Sequence, residues 1–217
     1  MQIGFESRGH KHSMTIRFHK GDLPNLDRYS DSVAIDTEAM GLNPHRDRLC
    51  VVQLSSGDGT ADVVQIAKGQ TSAPNIQKLL ADPAVLKLFH FARFDLALLY
   101  KTFGTMPEPV FCSKIASRLV RTYTDRHGLK ELCRELLGVE LSKQQQSSDW
   151  GAKALSEAQM GYAASDVLYL HRLREKLVVN LDREERTEMA NACFGFLPMR
   201  AKLDLAGWPD EDIFAHS

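Results

Sequence analysis

Cysteine is scarce in this sequence. The four residues, Cys50, Cys112, Cys133 and Cys193, lie far apart and form no CxxC pair. That spacing speaks against a zinc site or a disulfide frame, and three of the four sit inside apolar patterns. They read as buried free thiols in a reducing compartment, which points to the cytoplasm. Long apolar runs are missing as well. No stretch reaches the ~20 residues that span a bilayer, and the N-terminus lacks an apolar signal core. No membrane partner is expected. Excess charge is also absent, with 27 Lys and Arg against 28 Asp and Glu. A strongly basic chain would attract nucleic acid over its whole surface; a neutral one needs a local basic patch to do so. There is no internal repeat and no interdomain linker. The 217 residues suit one domain with a substantial core, or one domain plus a small appendage.

What the sequence does contain is an apolar run that ends in acid, Ser32-Val33-Ala34-Ile35-Asp36-Thr37-Glu38-Ala39-Met40-Gly41-Leu42. Val33 and Ile35 favour a buried strand. Side chains alternate along a strand, so Asp36 and Glu38 share one face while Thr37 takes the other. Two adjacent carboxylates at an apolar strand end repel each other and cost desolvation. A divalent cation is the usual remedy; a polar strand end entering a solvated loop is the alternative.

The rest of the chain reads as strands over 15–19, 32–37, 48–55 and 61–66, the last three forming an antiparallel meander. A helix follows over 74–81, then a central strand over 85–91 and a helix over 94–103. A short strand at 111–112 leads into a helix capped by Ser113 and running to about 123, and another helix spans 128–137, ended by Gly138. Residues 141–150 are polar and non-periodic. Ser156-Glu157-Ala158-Gln159 fits a capping box that opens a long helix to about 180, with further helices to 205. Residues 1–13 lack any period and read as a disordered leader, 14–206 as the domain and 207–217 as a loose tail. The expected class is α/β, a mixed sheet of five to six strands flanked by helices.

Two later segments carry acid. Asp95 lies just inside the helix that follows the central strand, where a carboxylate also suits a helix N-terminus. Tyr162 and Asp166, four apart, emerge together from one helix face, flanked by the small residues Ala163, Ala164 and Ser165. Each segment alone has an ordinary structural reading.

Together, Asp-x-Glu at a strand end, Asp after a later strand, and Tyr-x-x-x-Asp in a late helix resemble the motif set of the DEDD superfamily of 3′–5′ exonucleases, tyrosine branch. The resemblance extends through Leu129-Lys130-Glu131-Leu132, Ser148-Asp149-Trp150, Gln159 and Tyr169-Leu170 to ribonuclease D, in a short single-domain form. It implies a ribonuclease H-like fold. It also implies that Asp36, Glu38, Asp95 and Asp166 hold two divalent cations, Mg²⁺ or Mn²⁺, and that Tyr162 orients the attacking water. Two departures stand out: Lys153 occupies a position where the family often has arginine, and Phe91 follows His90 where some relatives have asparagine.

The implied activity is release of nucleoside 5′-monophosphates from RNA 3′ ends, in tRNA or other structured-RNA processing or decay. A DNA exonuclease on single strands and a non-catalytic nucleic-acid-binding domain are the alternatives. Thr37, Met40, Leu42, His90, Phe91, Gln146, Trp150 and Lys153 are the expected substrate contacts. For Met40 and Leu42 core packing, and for His90 a satisfied structural histidine, are the competing readings. Lys114, Arg118 and Arg121, at i, i+4 and i+7, form a candidate phosphate track.

Overall fold

A computed structural model describes residues 2–5, 14–142 and 144–216. The strands are β1 (Gln2–Phe5), β2 (Met14–Lys20), β3 (Ser32–Ala39), β4 (Leu49–Ser55), β5 (Thr60–Gln65), β6 (Leu86–Phe89) and β7 (Val110–Cys112). The helices are α1 (Pro74–Ala81), α2 (Ala92–Phe103), α3 (Ser113–Val120), α4 (Leu129–Leu132), α5 (Glu157–Leu168), α6 (Leu170–Arg183) and α7 (Thr187–Ala206). The sheet runs β1-β2-β5-β4-β3-β6-β7. The β3-β4-β5 meander is antiparallel, as expected. Beside it, β6 joins β3 and β7 joins β6 in parallel, through the crossover helix α2.

Seven strands exceed the expected five to six because Gln2–Phe5, read in sequence as part of a disordered leader, pairs antiparallel with β2. A four-residue segment is too short to show a period, and the unpaired edge of β2 supplies its partner. The remainder of the leader, 6–13, lies outside the described residues.

Burial follows from the layering. β4 is buried at every position, because helices cover both faces of the central sheet. α5 crosses β3, β4 and β5, while α6 packs on α3 and β6, and α7 packs on α2 and β7. This change of partners explains why the single helix expected to 180 breaks at Tyr169. The helix expected over 128–137 changes instead to a π-helical turn at Cys133–Leu137 before Gly138, in the left-handed conformation, ends it. α3 stops at Val120, three residues early.

Asp204, near the end of α7 and 6 % exposed, joins distant parts of the chain. Arg93 donates to its carboxylate from the first turn of α2, at 2.5 and 2.7 Å. Arg200 donates to Oδ1 from one turn earlier on α7, at 2.9 and 2.6 Å. The same two guanidinium groups donate to the carbonyls of Pro209 and Trp208, and Phe214 lies 5.8 Å from Phe196, ring to ring. The segment expected as a loose tail is thus tied down through backbone carbonyls, which carry no sequence signal.

Candidate active site

β3 lies at the centre of the sheet, paired on both sides by β4 and β6. It delivers Asp36 and Glu38 to one place, and a register shift between Glu38 and Ala39 ends the regular pairing just beyond them. Opposite Asp36 stands Gln53 on β4. Gln53 is fully buried, and its amide nitrogen donates to Asp36 Oδ2 at 3.2 Å. The Thr37 hydroxyl donates to Asp95 Oδ1 at 2.6 Å, which locks the acid of α2 against β3. Asp36, Glu38 and Asp166 each offer a carboxylate oxygen within 4.8 Å of the other two. Asp95 lies outside that trio, yet its charge acts on Glu38 and the charge of Asp36 acts on it.

α5 begins with the expected capping box: Gln159 N–H donates to Ser156 Oγ, and Ser156 N–H donates to Gln159 Oε1. That fixes the helix start and so the phase of Tyr162 and Asp166. Ala163 and Ala164 are fully buried, which lets α5 lie close on the sheet. Under Tyr162 sits Trp150, 3 % exposed, with ring centroids 6.1 Å apart. Its loop is held to the sheet by Arg48 donating to Gly151 O (3.4 Å) and Gln65 to Ala152 O (2.9 Å), and to α5 by Gln159 donating to Asp149 O (3.0 Å). A Cβ at Gly151 would lie 2.4 Å from Met40 Sδ, so a larger residue there would require the exposed Met40 side chain to shift.

Burial drives all four carboxylates above their ordinary range, and for Glu38, Asp95 and Asp166 the charge of Asp36 adds to it. Asp36 is pushed up to about 7. Burial, then the charges of Asp166, Glu38 and Asp36, keep the Tyr162 phenol protonated well past neutral pH. The donor set is hard oxygen only, which suits a divalent cation. A sign follows for stability. A carboxyl with a raised folded pKa favours the fold below its unfolded value, and that contribution is lost as pH rises through the folded value. Through Asp36, the metal-free protein therefore loses stability as pH rises toward about 7. Added Mn²⁺ should raise Tm by several degrees more at pH 8 than at pH 6; equal shifts in thermal melts at the two pH values would contradict the site.

The other expected contacts divide. Met40, Leu42 and Phe91 are exposed by 53, 87 and 47 %. Gln146 and Lys153 are exposed, and Lys114 is half-buried with its ammonium 4.3 Å from the Phe91 ring centroid. Arg118 is exposed on α3. Arg121 needs correcting as a surface cation, and Trp150, Thr37 and His90 are held by neighbouring side chains. Arg121 is 2 % exposed: α3 ends before it, and its guanidinium turns inward to Ser117 Oγ (3.0 Å), Arg126 O (2.8 Å) and Glu135. It is no part of a phosphate track. Trp150 packs beneath Tyr162 rather than facing solvent, and the Thr37 hydroxyl is committed to Asp95. His90 shares a 2.9 Å hydrogen bond with Ser113 Oγ, and burial pulls its pKa down to about 3, so it is a neutral structural ring. Ser113 itself is the first helical residue rather than the cap, and its hydroxyl donates to Phe89 O. Gln53 was not expected; its signal was an amide inside the apolar run Leu49-Cys50-Val51-Val52-Gln53-Leu54.

Residues 18–182 match the family model described as 3′–5′ exonuclease. The ribonuclease D of Granulibacter bethesdensis is 37 % identical over 184 residues, 83 % of this chain and 46 % of that protein, so the chain spans about half the length of this curated relative. Among solved structures, Brucella melitensis NrnC with bound Mg²⁺ is 67 % identical with a TM-score of 0.90, covering 93 % of this chain and 99 % of that one. The same Brucella protein bound to pGG is 68 % identical with a TM-score of 0.92, covering 94 % of this chain and 100 % of that one.

Proposed function

We propose that this chain, which belongs to the 3′–5′ exonuclease family, hydrolyses short single-stranded RNA from the 3′ end and releases nucleoside 5′-monophosphates. The observation that carries the reading is the meeting of Asp36, Glu38 and Asp166 oxygens within 4.8 Å, beside Asp95 and the Tyr162 phenol. A short substrate is favoured over a structured RNA because a relative 68 % identical, matched along its whole length, binds pGG. RNA is favoured by the ribonuclease D relative. The cytoplasm is the proposed site of action, supported by four cysteines that are all free thiols; no described helix is long and apolar enough to cross a membrane.

Asp36, Glu38, Asp95 and Asp166 would hold two divalent cations, Mg²⁺ or Mn²⁺, and bound Mg²⁺ is supported by the related Brucella structure. The chemistry supplied by such ions is stabilisation of charge on the scissile phosphate and a more acidic attacking water. The chain's own residues provide the geometry. Gln53 fixes the Asp36 carboxylate from β4, and Thr37 fixes Asp95. Tyr162, kept as a neutral phenol, hydrogen-bonds the attacking water and sets its line of approach to phosphorus. Trp150 fixes the plane of the Tyr162 ring. Exposed Met40 and Leu42, on the turn beyond Glu38, offer apolar surface to the bases.

The test is digestion of 5′-labelled RNA and DNA, from dinucleotides to longer oligomers, with Mg²⁺, Mn²⁺ or chelator. The expected result is stepwise loss of 3′ nucleotides from RNA, fastest on dinucleotides and absent with chelator. Internal cuts, hydrolysis in chelator, or a preference for DNA would overturn the corresponding part of the reading.

A further inference from the structure

Phe91 has a backbone that does not suit it. With φ 67° and ψ 45° it lies in the left-handed region, one of two non-glycine residues with positive φ among the described residues. The other, Glu185, lies in the α6–α7 turn. Glycine or asparagine takes this conformation with little strain, whereas a bulky aromatic is an outlier there. Burial does not offset the strain, because the ring is 47 % exposed. The surroundings nonetheless hold it firmly. Ser113 Oγ takes a hydrogen bond with the His90 ring (2.9 Å) and donates to Phe89 O (3.1 Å), so the N-terminus of α3 grips the two residues before Phe91. The next residue of α3, Lys114, places its ammonium 4.3 Å from the Phe91 ring centroid. Phe91 is also the residue immediately before α2, whose first turn carries Asp95.

A strained, exposed aromatic at the start of the helix that carries Asp95, with a cation over its ring, has the make-up of a nucleotide clamp. We propose that Phe91 stacks on one base of the bound nucleotide while Lys114, steered by the ring, neutralises the phosphate next to that base. The clamp rests on the exonuclease reading and adds a specificity element to it. Stacking accepts any base, because every base has a π face. The pair therefore selects for the presence of a base and its adjoining phosphate rather than for sequence. Lys114 takes the role that the wider track of three cations was expected to fill, since Arg121 is buried.

The experiment compares wild type, Phe91→Asn and Phe91→Trp on the dinucleotide pGG and on analogues lacking the base at the first or second position. Kinetics are measured with Mn²⁺, and binding of pGG is measured by titration in chelator. Asparagine relieves the backbone, so Phe91→Asn should raise Tm by about 2–4 °C. It should also raise KM for pGG about 5- to 150-fold, the value of one base stacked on an aromatic ring, with kcat nearly unchanged. Phe91→Trp should keep the wild-type KM. On the analogue missing the stacked base, wild type and Phe91→Asn should have the same KM. Lys114→Gln should flatten the log–log dependence of KM on salt by about 0.7, as for one lost phosphate contact on a single strand, and Lys114→Arg should restore it. A Phe91→Asn enzyme with wild-type KM on pGG, or one that loses equally on intact and base-free substrates, overturns the clamp. Wild-type protein that binds pGG through Phe91 in chelator but hydrolyses nothing with metal overturns the exonuclease reading and leaves the clamp standing.

Discussion

Asp36→Ala is expected to remove hydrolysis, with kcat falling by about 10³-fold or more, since its carboxylate is one of the three that meet within 4.8 Å and, on the proposed function, metal stabilisation of phosphate charge there is worth several kcal/mol. The same change should strengthen the protein without metal. Asp36 adds to the repulsion felt by Glu38, Asp95 and Asp166, and it stands on a strand paired on both sides, so alanine there leaves the sheet intact. Thermal melts should show a higher Tm than wild type in chelator, and Mn²⁺ should no longer raise it. This opposite movement of activity and stability separates a lost site from a lost fold. Activity within tenfold of wild type would sink the assignment of Asp36.

Tyr162→Phe is the second large effect. It keeps the ring that packs 6.1 Å from Trp150 and removes only the hydroxyl. The site retains its four acids, so KM and the Mn²⁺-induced rise in Tm should stay near wild type. The attacking water loses its guide, and kcat should fall by about 100-fold, the lower end of what a positioned proton-handling group contributes. Because the phenol is held protonated well above neutral pH, the pH–rate profile of the variant should keep its shape between pH 6 and 9. A profile that loses a limb in that range would mean that the phenol itself titrates as the base.

The acids were legible because their chemistry and their spacing coincide. Asp36 and Glu38 alternate on a strand, and Tyr162 and Asp166 are one helical turn apart. Short-period relations of this kind survive in sequence. What failed to show was contact between distant segments. The Thr37 hydroxyl reaches Asp95 across 58 residues, and nothing near Thr37 announces it. Trp150 was recognised as part of a motif, but only packing shows that it lies beneath Tyr162. Arg121 looked like the third member of a helical stripe because its helix was extended past Val120; one early stop turned an expected surface cation into a buried one. The meander was legible from alternation, while β1 was not, since its partner edge is set by topology.

The Asp204 junction bears on where this catalytic unit ends. The match to the family model ends at residue 182, while α7 begins at Thr187 and Asp204 grips Arg93, two residues before Asp95. The His45 ring, on the turn that follows β3, also meets the Asp204 carbonyl at 3.1 Å. A helix beyond the end of the family model thus ties the first turn of α2, which carries Asp95, to the turn that follows β3, the strand that carries Asp36 and Glu38. A fragment cut where the family model ends would carry Asp36, Glu38, Asp95, Tyr162 and Asp166 without the junction that ties α2 to the turn beyond β3.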